Sequence, residues 1–209
     1  MDKIAYDTIQ PPFTLKFWEM SKKELREYYR WFMEIIPQRV NILANTVSAT
    51  PGFEDWKPDY TPASLSTLGG WFATQVETRT RTQEERQELM SSSRNPIDVP
   101  DYDLTNRTFS LAMDVGMYLS QVFLQNHPSL KWDQPLGSKK FIHYGQPVLV
   151  GGFAGNIPWN PVRIAVTLAY GLVKKSKTGA ALRDIYDKGS RMISESSVTE
   201  ANSAGSIHG

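Results

Sequence analysis

The spacing of apolar and polar positions predicts a mainly helical protein. From Ser21 to Ile36 apolar residues recur at helical spacing, and Ser21 with Glu24 three positions later forms a capping-box pattern. Pro37 is expected either to break or kink this helix, or to lie in the first turn of a second one. The strongest apolar stripe runs from about Leu104 to Gln125, which predicts a long helix facing the core.

Start signals predict further, shorter helices. Thr61-Pro62 and Asn160-Pro161 each place an N-cap residue before a proline at the first helical position. Thr82 and Glu85 repeat the capping-box pattern ahead of an exposed, charged helix. A last short helix is expected from about Thr178 to Asp187.

After Trp132 the pattern changes to β-rich runs. The segments FIHYG and QPVLVGGF, with a turn around Gly145 and Gln146, predict an antiparallel hairpin near residues 140–153. The predicted fold class is therefore α+β: a mainly helical single domain with a small antiparallel β-sheet in the C-terminal half. This domain is expected to span residues 1–188, with a subdomain boundary near 94–103 if there are two units. Residues 189–209 lack periodicity, which predicts a disordered tail.

Composition excludes several classes of function. The 209 residues include no cysteine, so disulfides, thiolate metal sites and a cysteine nucleophile are ruled out. Because 23 basic residues nearly balance 22 acidic ones, nucleic acid is not an expected partner. The apolar runs are too short for a membrane span, and the N-terminus lacks a signal-peptide pattern. We expect a cytoplasmic protein without a metal or cofactor.

Two loops combine carboxylates with aromatic rings, a combination typical of protein-binding surfaces. Rings provide anchors, and carboxylates steer a basic partner toward them. In the alternative interpretation, the rings fold back onto the core and the acids are merely solvated. The candidate contact residues are Asp55, Trp56 and Asp59 in the first loop, and Asp101, Tyr102 and Asp103 in the second.

Two other interpretations compete with protein binding. His143, on a predicted strand, could be a buried catalytic base, and the glycine-rich loop Gly151–Asn156 could cradle a small ligand. The spacing of that loop matches no nucleotide-binding pattern, so its glycines could equally serve a tight connection. Alternatively, the helix carrying Gly69-Gly70 could pack against a second copy of the chain.

Roughly residues 104–187 resemble immunity proteins of bacterial polymorphic and contact-dependent toxin systems. The resemblance is carried by Gly116-x-Tyr118-Leu119, Lys131-Trp132 and Asn160-Pro161, on a helix, a hairpin and a closing helix. It implies a cytosolic protein that neutralises a toxin domain by binding it, without catalysis. Many such inhibitors are strongly acidic, and the net charge of +1 differs from that pattern.

Overall fold

Helices dominate the fold, and two short antiparallel sheets join them. The computed structural model describes residues 5–92, 99–153, 155 and 157–205, with the backbone alone for residue 92 and residues 194–205. In these ranges the helices are α1 (Lys22–Ser48), α2 (Ser64–Gln75), α3 (Gln83–Ser92), α4 (Asn106–Asn126), α5 (Pro161–Val173) and α6 (Ala181–Gly205). The strands are β1 (Thr78–Thr80), β2 (Tyr102–Leu104), β3 (Lys131–Asp133) and β4 (Val148–Val150). The predicted mainly helical α+β class is confirmed.

Helix α4 forms the centre of the core. Every side chain from Ser110 to Ser120 is buried, because α1, α2, α5 and α6 all pack against this helix. The Thr105 hydroxyl accepts a hydrogen bond from the Thr108 amide and thereby caps the helix start. The apolar cluster around α4 extends from Met20 to Ile193, so it includes residues on both sides of the 94–103 segment.

Helix α1 continues through Pro37 instead of ending there. Proline removes one backbone donor and crowds the preceding turn, which normally interrupts a helix. Here Phe32 and Ile36 before the proline, and Val40 and Leu43 after it, are all buried on one face. Burial of this continuous stripe against the core compensates for the missing hydrogen bond.

The sheets differ from the predicted hairpin. Strand β4 lies within the expected region, but its partner is β3, with Trp132 opposite Leu149. Residues 141–146 form turns, because local hydrogen bonds such as Tyr144 N–H to Phe141 O (2.9 Å) satisfy the backbone there. Strands β1 and β2 form a second sheet that the sequence did not predict, with Thr80 opposite Tyr102.

The described part of the segment expected to be a tail, residues 189–205, is helical. Helix α6 runs past Gly189 to Gly205, whereas the pattern of apolar residues predicted an end near Asp187. Tyr186 and Ile193 are buried, and Gly189 lies against the ring of Phe123. Packing against the core around α4 therefore stabilises helical turns of α6 in which apolar residues do not recur at regular spacing.

A buried ion pair ties the N-terminal segment to α1 and α4. The Arg39 guanidinium donates two hydrogen bonds to the Asp114 carboxylate, at 3.0 and 2.7 Å. The Tyr6 hydroxyl donates to the same carboxylate, and Arg39 also donates to the carbonyl of Asp7 at 2.7 Å. These contacts satisfy charges that would otherwise be costly to bury.

Candidate functional site

The candidate site consists of exposed large apolar side chains on two turns that lie side by side in the fold, one before α1 and one before β4. Trp18, 60 % exposed, lies in the turn before α1, while Phe141 (38 %) and Ile142 (58 %) lie in the turn before β4. The side chain of Lys139 bridges the segments by donating to the carbonyl of Trp18 at 2.8 Å. We call Trp18, Phe141 and Ile142 the apolar patch.

The turn that carries Trp18 is anchored from below. Its neighbour Phe17 packs edge-on against Tyr28 of α1, with ring centroids 5.1 Å apart, and Met20 is buried. The Met20 amide also donates to the carbonyl of Lys16 at 3.2 Å. Since Phe17 and Met20 occupy the positions of this turn that face the core, the Trp18 ring between them faces solvent.

The second turn is held by backbone hydrogen bonds as well. The Phe141 amide donates to the carbonyl of Ser138 at 3.0 Å, and the Arg163 guanidinium of α5 donates to the carbonyl of Ile142 at 3.3 Å. These contacts keep both apolar side chains on a defined frame while they remain in water. Such a frame reduces the conformational entropy lost on binding.

Basic groups border the apolar patch. Lys139, Lys140 and Arg163 are exposed beside Phe141 and Ile142. On the Trp18 side, Lys16 and Glu19 lie 4.0 Å apart and offset each other's charge. The border is therefore positive overall, which favours an acidic counterpart.

Trp56, predicted as an exposed anchor, is buried, so this prediction is wrong. It is 6 % exposed, and its indole N–H donates to the carbonyl of Ser64 at 3.0 Å. The ring packs edge-on against Tyr118 of α4 at 5.3 Å. A buried indole with a satisfied N–H serves the core, which was the alternative interpretation of this loop.

Asp55 and Asp59 of the same loop remain exposed. They line a shallow depression of about 470 Å³ together with Glu54 and Lys57. The Asp59 carboxylate accepts from both the amide and the hydroxyl of Thr61 at 2.8 Å, which fixes its position. The role of Asp55 and Asp59 in binding stays a prediction.

The second acidic loop does not join the first. The amide of Tyr60 donates to the Tyr118 hydroxyl, which places the first loop beside the second half of α4. Residues 101–103 lead into the first turn of α4, about 20 Å away along the helix axis at 1.5 Å per residue. The structure therefore does not combine the six predicted residues into one surface.

Asp103 has a structural role, which corrects its assignment to a partner surface. Its carboxylate forms an ion pair with Arg81 at 3.1 Å and accepts a hydrogen bond from the Tyr170 hydroxyl of α5. Burial opposes ionisation of Asp103, but the hydrogen bonds from Tyr170 and Arg81 outweigh it and lower its pKa. Tyr102 is half-buried in β2, and Asp101 is exposed.

His143 is not on a strand, contrary to the prediction. It lies in the turn before β4, and its buried Nδ1 has no hydrogen-bond partner among the described residues. Burial lowers the pKa of the His143 imidazole below its ordinary value, and the positive charge of Arg163 lowers it further. The imidazole is therefore neutral at pH 7. Within the described ranges no three His, Cys, Asp or Glu side chains are grouped so that they could hold a metal.

The glycine loop serves a close backbone approach. Gly151 has a φ of 100°, and a Cβ there would lie 2.5 Å from the carbonyl oxygen of Ser129. Only glycine fits this position without displacing the neighbouring backbone. Ala154 and Asn156 of the predicted ligand loop lie outside the described residues.

Comparison with known proteins finds no protein-family model, no curated protein and no solved structure that matches this chain. Function is therefore argued from the exposed side chains, their supports and the surrounding charges. Across the described ranges, no helix is both long and apolar enough to cross a membrane.

Proposed function

We propose that this protein acts by binding a partner protein through the apolar patch, without a chemical step of its own. The observation that supports it is the exposure of Trp18 and Ile142 on turns whose backbone carbonyls accept hydrogen bonds from Lys139 and Arg163. Exposed apolar area disfavours the free protein by about 25 cal/mol per Å² relative to a buried state. Exposed patches of this kind mark interaction sites, and tryptophan is enriched among the residues that dominate binding energy.

The charges beside the patch favour an acidic partner. Lys139, Lys140 and Arg163 would accelerate encounter with a negatively charged surface and fix its orientation. This sign is opposite to the one expected from the acidic loops. The loop with Asp55 and Asp59 remains a second candidate face, and it would bind a basic surface instead.

A finer proposal is that the partner is a toxin domain, neutralised in the cytoplasm. The resemblance to immunity proteins supports it, and two of the motifs on which that resemblance rests meet in the structure. A Cβ on Gly116 would lie 2.7 Å from the Cα of Val162 and 2.9 Å from the carbonyl oxygen of Pro161. These motifs serve the packing of α4 on α5, while inhibition itself would be the task of the surface.

Site-specific photocrosslinking tests the proposed face. A photoreactive amino acid placed at Trp18 or Ile142 is expected to crosslink one acidic protein in cells of the source organism, identified by mass spectrometry. The same group at Met90, an equally apolar side chain of α3 that is 49 % exposed, serves as the matched control. Crosslinks confined to a second copy of this chain would contradict the proposal and indicate self-association.

Affinity measurements with the purified partner then test the energetic role of the ring. Trp18→Ala is expected to weaken binding by about 30-fold, the size typical of a dominant interface residue near 2 kcal/mol. The Met90→Ala variant should bind like the unmodified chain. Unchanged affinity of Trp18→Ala would refute the assignment of the face.

Charge reversal in the acidic loop is the competing experiment. If Asp55 and Asp59 contact a basic partner, the double variant Asp55→Lys/Asp59→Lys lowers the association rate constant more than it raises the dissociation rate constant. Stopped-flow kinetics at two salt concentrations separates these rates, because screening weakens steering. An effect here, with none at Trp18, would move the interface to the acidic loop.

A further inference from the structure

A second concave surface lies between α5 and α6. It encloses about 710 Å³, which is within the range of 300–1,000 Å³ usual for small-molecule sites. We call the buried and half-buried apolar side chains of its lining the floor: Ile164 and Leu168 from α5, and Ala181 and Ile185 from α6. We call this surface the α5–α6 groove.

Lysines line the rim of the groove. Lys174, Lys175 and Lys177 follow the end of α5, and Lys188 extends from α6. Among the described residues of the lining Asp184 is the one acidic side chain, so with the four lysines their formal charges sum to +3. Among the described residues none of the four lysines has an ion-pair partner, and all four are exposed.

The lysine side chains are not needed as hydrogen-bond donors at the end of α5. The terminal carbonyls of α5 already accept backbone hydrogen bonds, from Lys174 N–H to Tyr170 O (3.0 Å) and from Lys177 N–H to Gly171 O (3.1 Å). Lys188 lies on a different helix, yet it lines the same groove. Lysines from two different elements line one groove, and this is the arrangement expected of an anion-binding site.

The turn between the helices fixes the position of the rim. Lys175 adopts a left-handed backbone conformation, with φ of 54°, and reverses the chain. A Cβ on Gly171 would lie 2.7 Å from Cγ of Lys177, so the stem of this lysine packs over the glycine. The side chain is thus held along the rim, with its ammonium group in water.

The geometry points to a site for an amphipathic anion: one molecule with an aliphatic chain and a carboxylate or phosphate head. The apolar floor covers the chain, and the lysines attract the head. The concave shape disfavours a flat membrane surface, which would contact the rim without reaching the floor. The volume of the groove matches a single small molecule. For this reason an amphipathic anion is favoured as its ligand over an acidic helix of a partner protein.

Titrations with laurate and dodecyl phosphate, each below its critical micelle concentration, test the site by calorimetry on the full chain. Acetate and inorganic phosphate supply the head alone, and dodecanol supplies the chain alone. Both amphiphiles are expected to bind saturably at one site, and at least tenfold more tightly than the three single-feature compounds. Preference for one amphiphile identifies whether the natural head is a carboxylate or a phosphate.

Charge reversal locates the binding. Lys175→Glu/Lys188→Glu is expected to weaken binding of both amphiphiles by about tenfold, because two attractive charges become repulsive. Lys22→Glu/Lys23→Glu changes the net charge equally at exposed positions outside the groove and should leave the affinity within about twofold. Thermal unfolding confirms that each variant is folded.

Several results would overturn this site. They are unchanged binding in the groove variant, binding that begins only at micelle formation, and equal affinity for the head groups alone. Co-sedimentation with anionic phosphatidylglycerol vesicles without binding of monomeric amphiphile would indicate a membrane surface instead. Displacement of laurate by a synthetic acidic amphipathic helix of higher affinity would indicate a protein-docking groove.

Discussion

Asp114→Ala is expected to lower the free energy of unfolding by about 3–5 kcal/mol, a large part of the 5–15 kcal/mol typical of a domain. The substitution leaves the guanidinium of Arg39 buried beside α4 without the carboxylate that accepts two of its hydrogen bonds. Arg39 would retain the carbonyl of Asp7 and, at 3.7 Å, the exposed carboxylate of the same residue. Urea denaturation followed by circular dichroism measures the loss.

The matched control removes both charges of this pair. Arg39→Met/Asp114→Leu replaces the ion pair with apolar side chains of similar size, which is commonly neutral or stabilising. We expect the double variant to recover most of the stability lost by Asp114→Ala. A double variant as unstable as the single one would show that the cost comes from packing volume and not from an unpaired buried charge.

Adjacent glycines in α2 are expected to respond to alanine with opposite signs. A Cβ at Gly69 would clash with the carbonyl oxygen of Gly179, and one at Gly179 would lie 2.6 Å from the carbonyl oxygen of Gly69. Since backbone cannot yield as a flexible side chain does, Gly69→Ala should cost about 3 kcal/mol, at the upper end for overpacking. At Gly70 no atom lies within 4 Å of the added Cβ, and Gly70→Ala should stabilise the protein by about 0.5–1 kcal/mol.

Thermal and urea unfolding of the two variants provide the measurement, each variant being the control for the other. Equal effects would show that helix propensity alone governs both positions. The contact also bears on self-packing: Gly69 lies against the turn before α6 of its own chain, so this glycine is already used within the monomer.

The helical part of the fold was predictable because its signals are local. The capping boxes at Ser21 and Thr82 form as expected, and Asn160 caps α5 ahead of Pro161. Pairing of distant segments was not predictable in the same way. Strand β4 pairs with β3, which precedes the 141–146 turn, and not with a strand inside that segment. Strand β1 pairs with β2, more than twenty residues further along the chain.

The end of α6 and the passage of α1 through Pro37 depend on tertiary contacts that local rules do not include. Burial of Ile193 and of the stripe around Ile36 outweighs a weak pattern in one case and a helix breaker in the other. In both cases the decisive contribution is therefore packing against the core.

The candidate site was harder to predict than the fold. An exposed tryptophan and a buried one look alike in sequence: Trp56 and Trp18 each have an acidic neighbour, yet Trp56 is buried and Trp18 is exposed. Whether a tryptophan ring faces solvent depends on which neighbouring side chains occupy the positions that face the core. The available signal was the run of apolar residues ahead of α1, whose loose alternation with polar residues does not distinguish inward from outward positions.

The bridge from Lys139 to Trp18 joins positions 121 residues apart. During synthesis, the N-terminal half emerges from the ribosome long before the turn and the α5 arginine that complete this face. A half-made chain would therefore carry the anchored Trp18 turn but lack Phe141, Ile142 and the contacts from Lys139 and Arg163. The proposed binding face would be complete only after synthesis has passed α5.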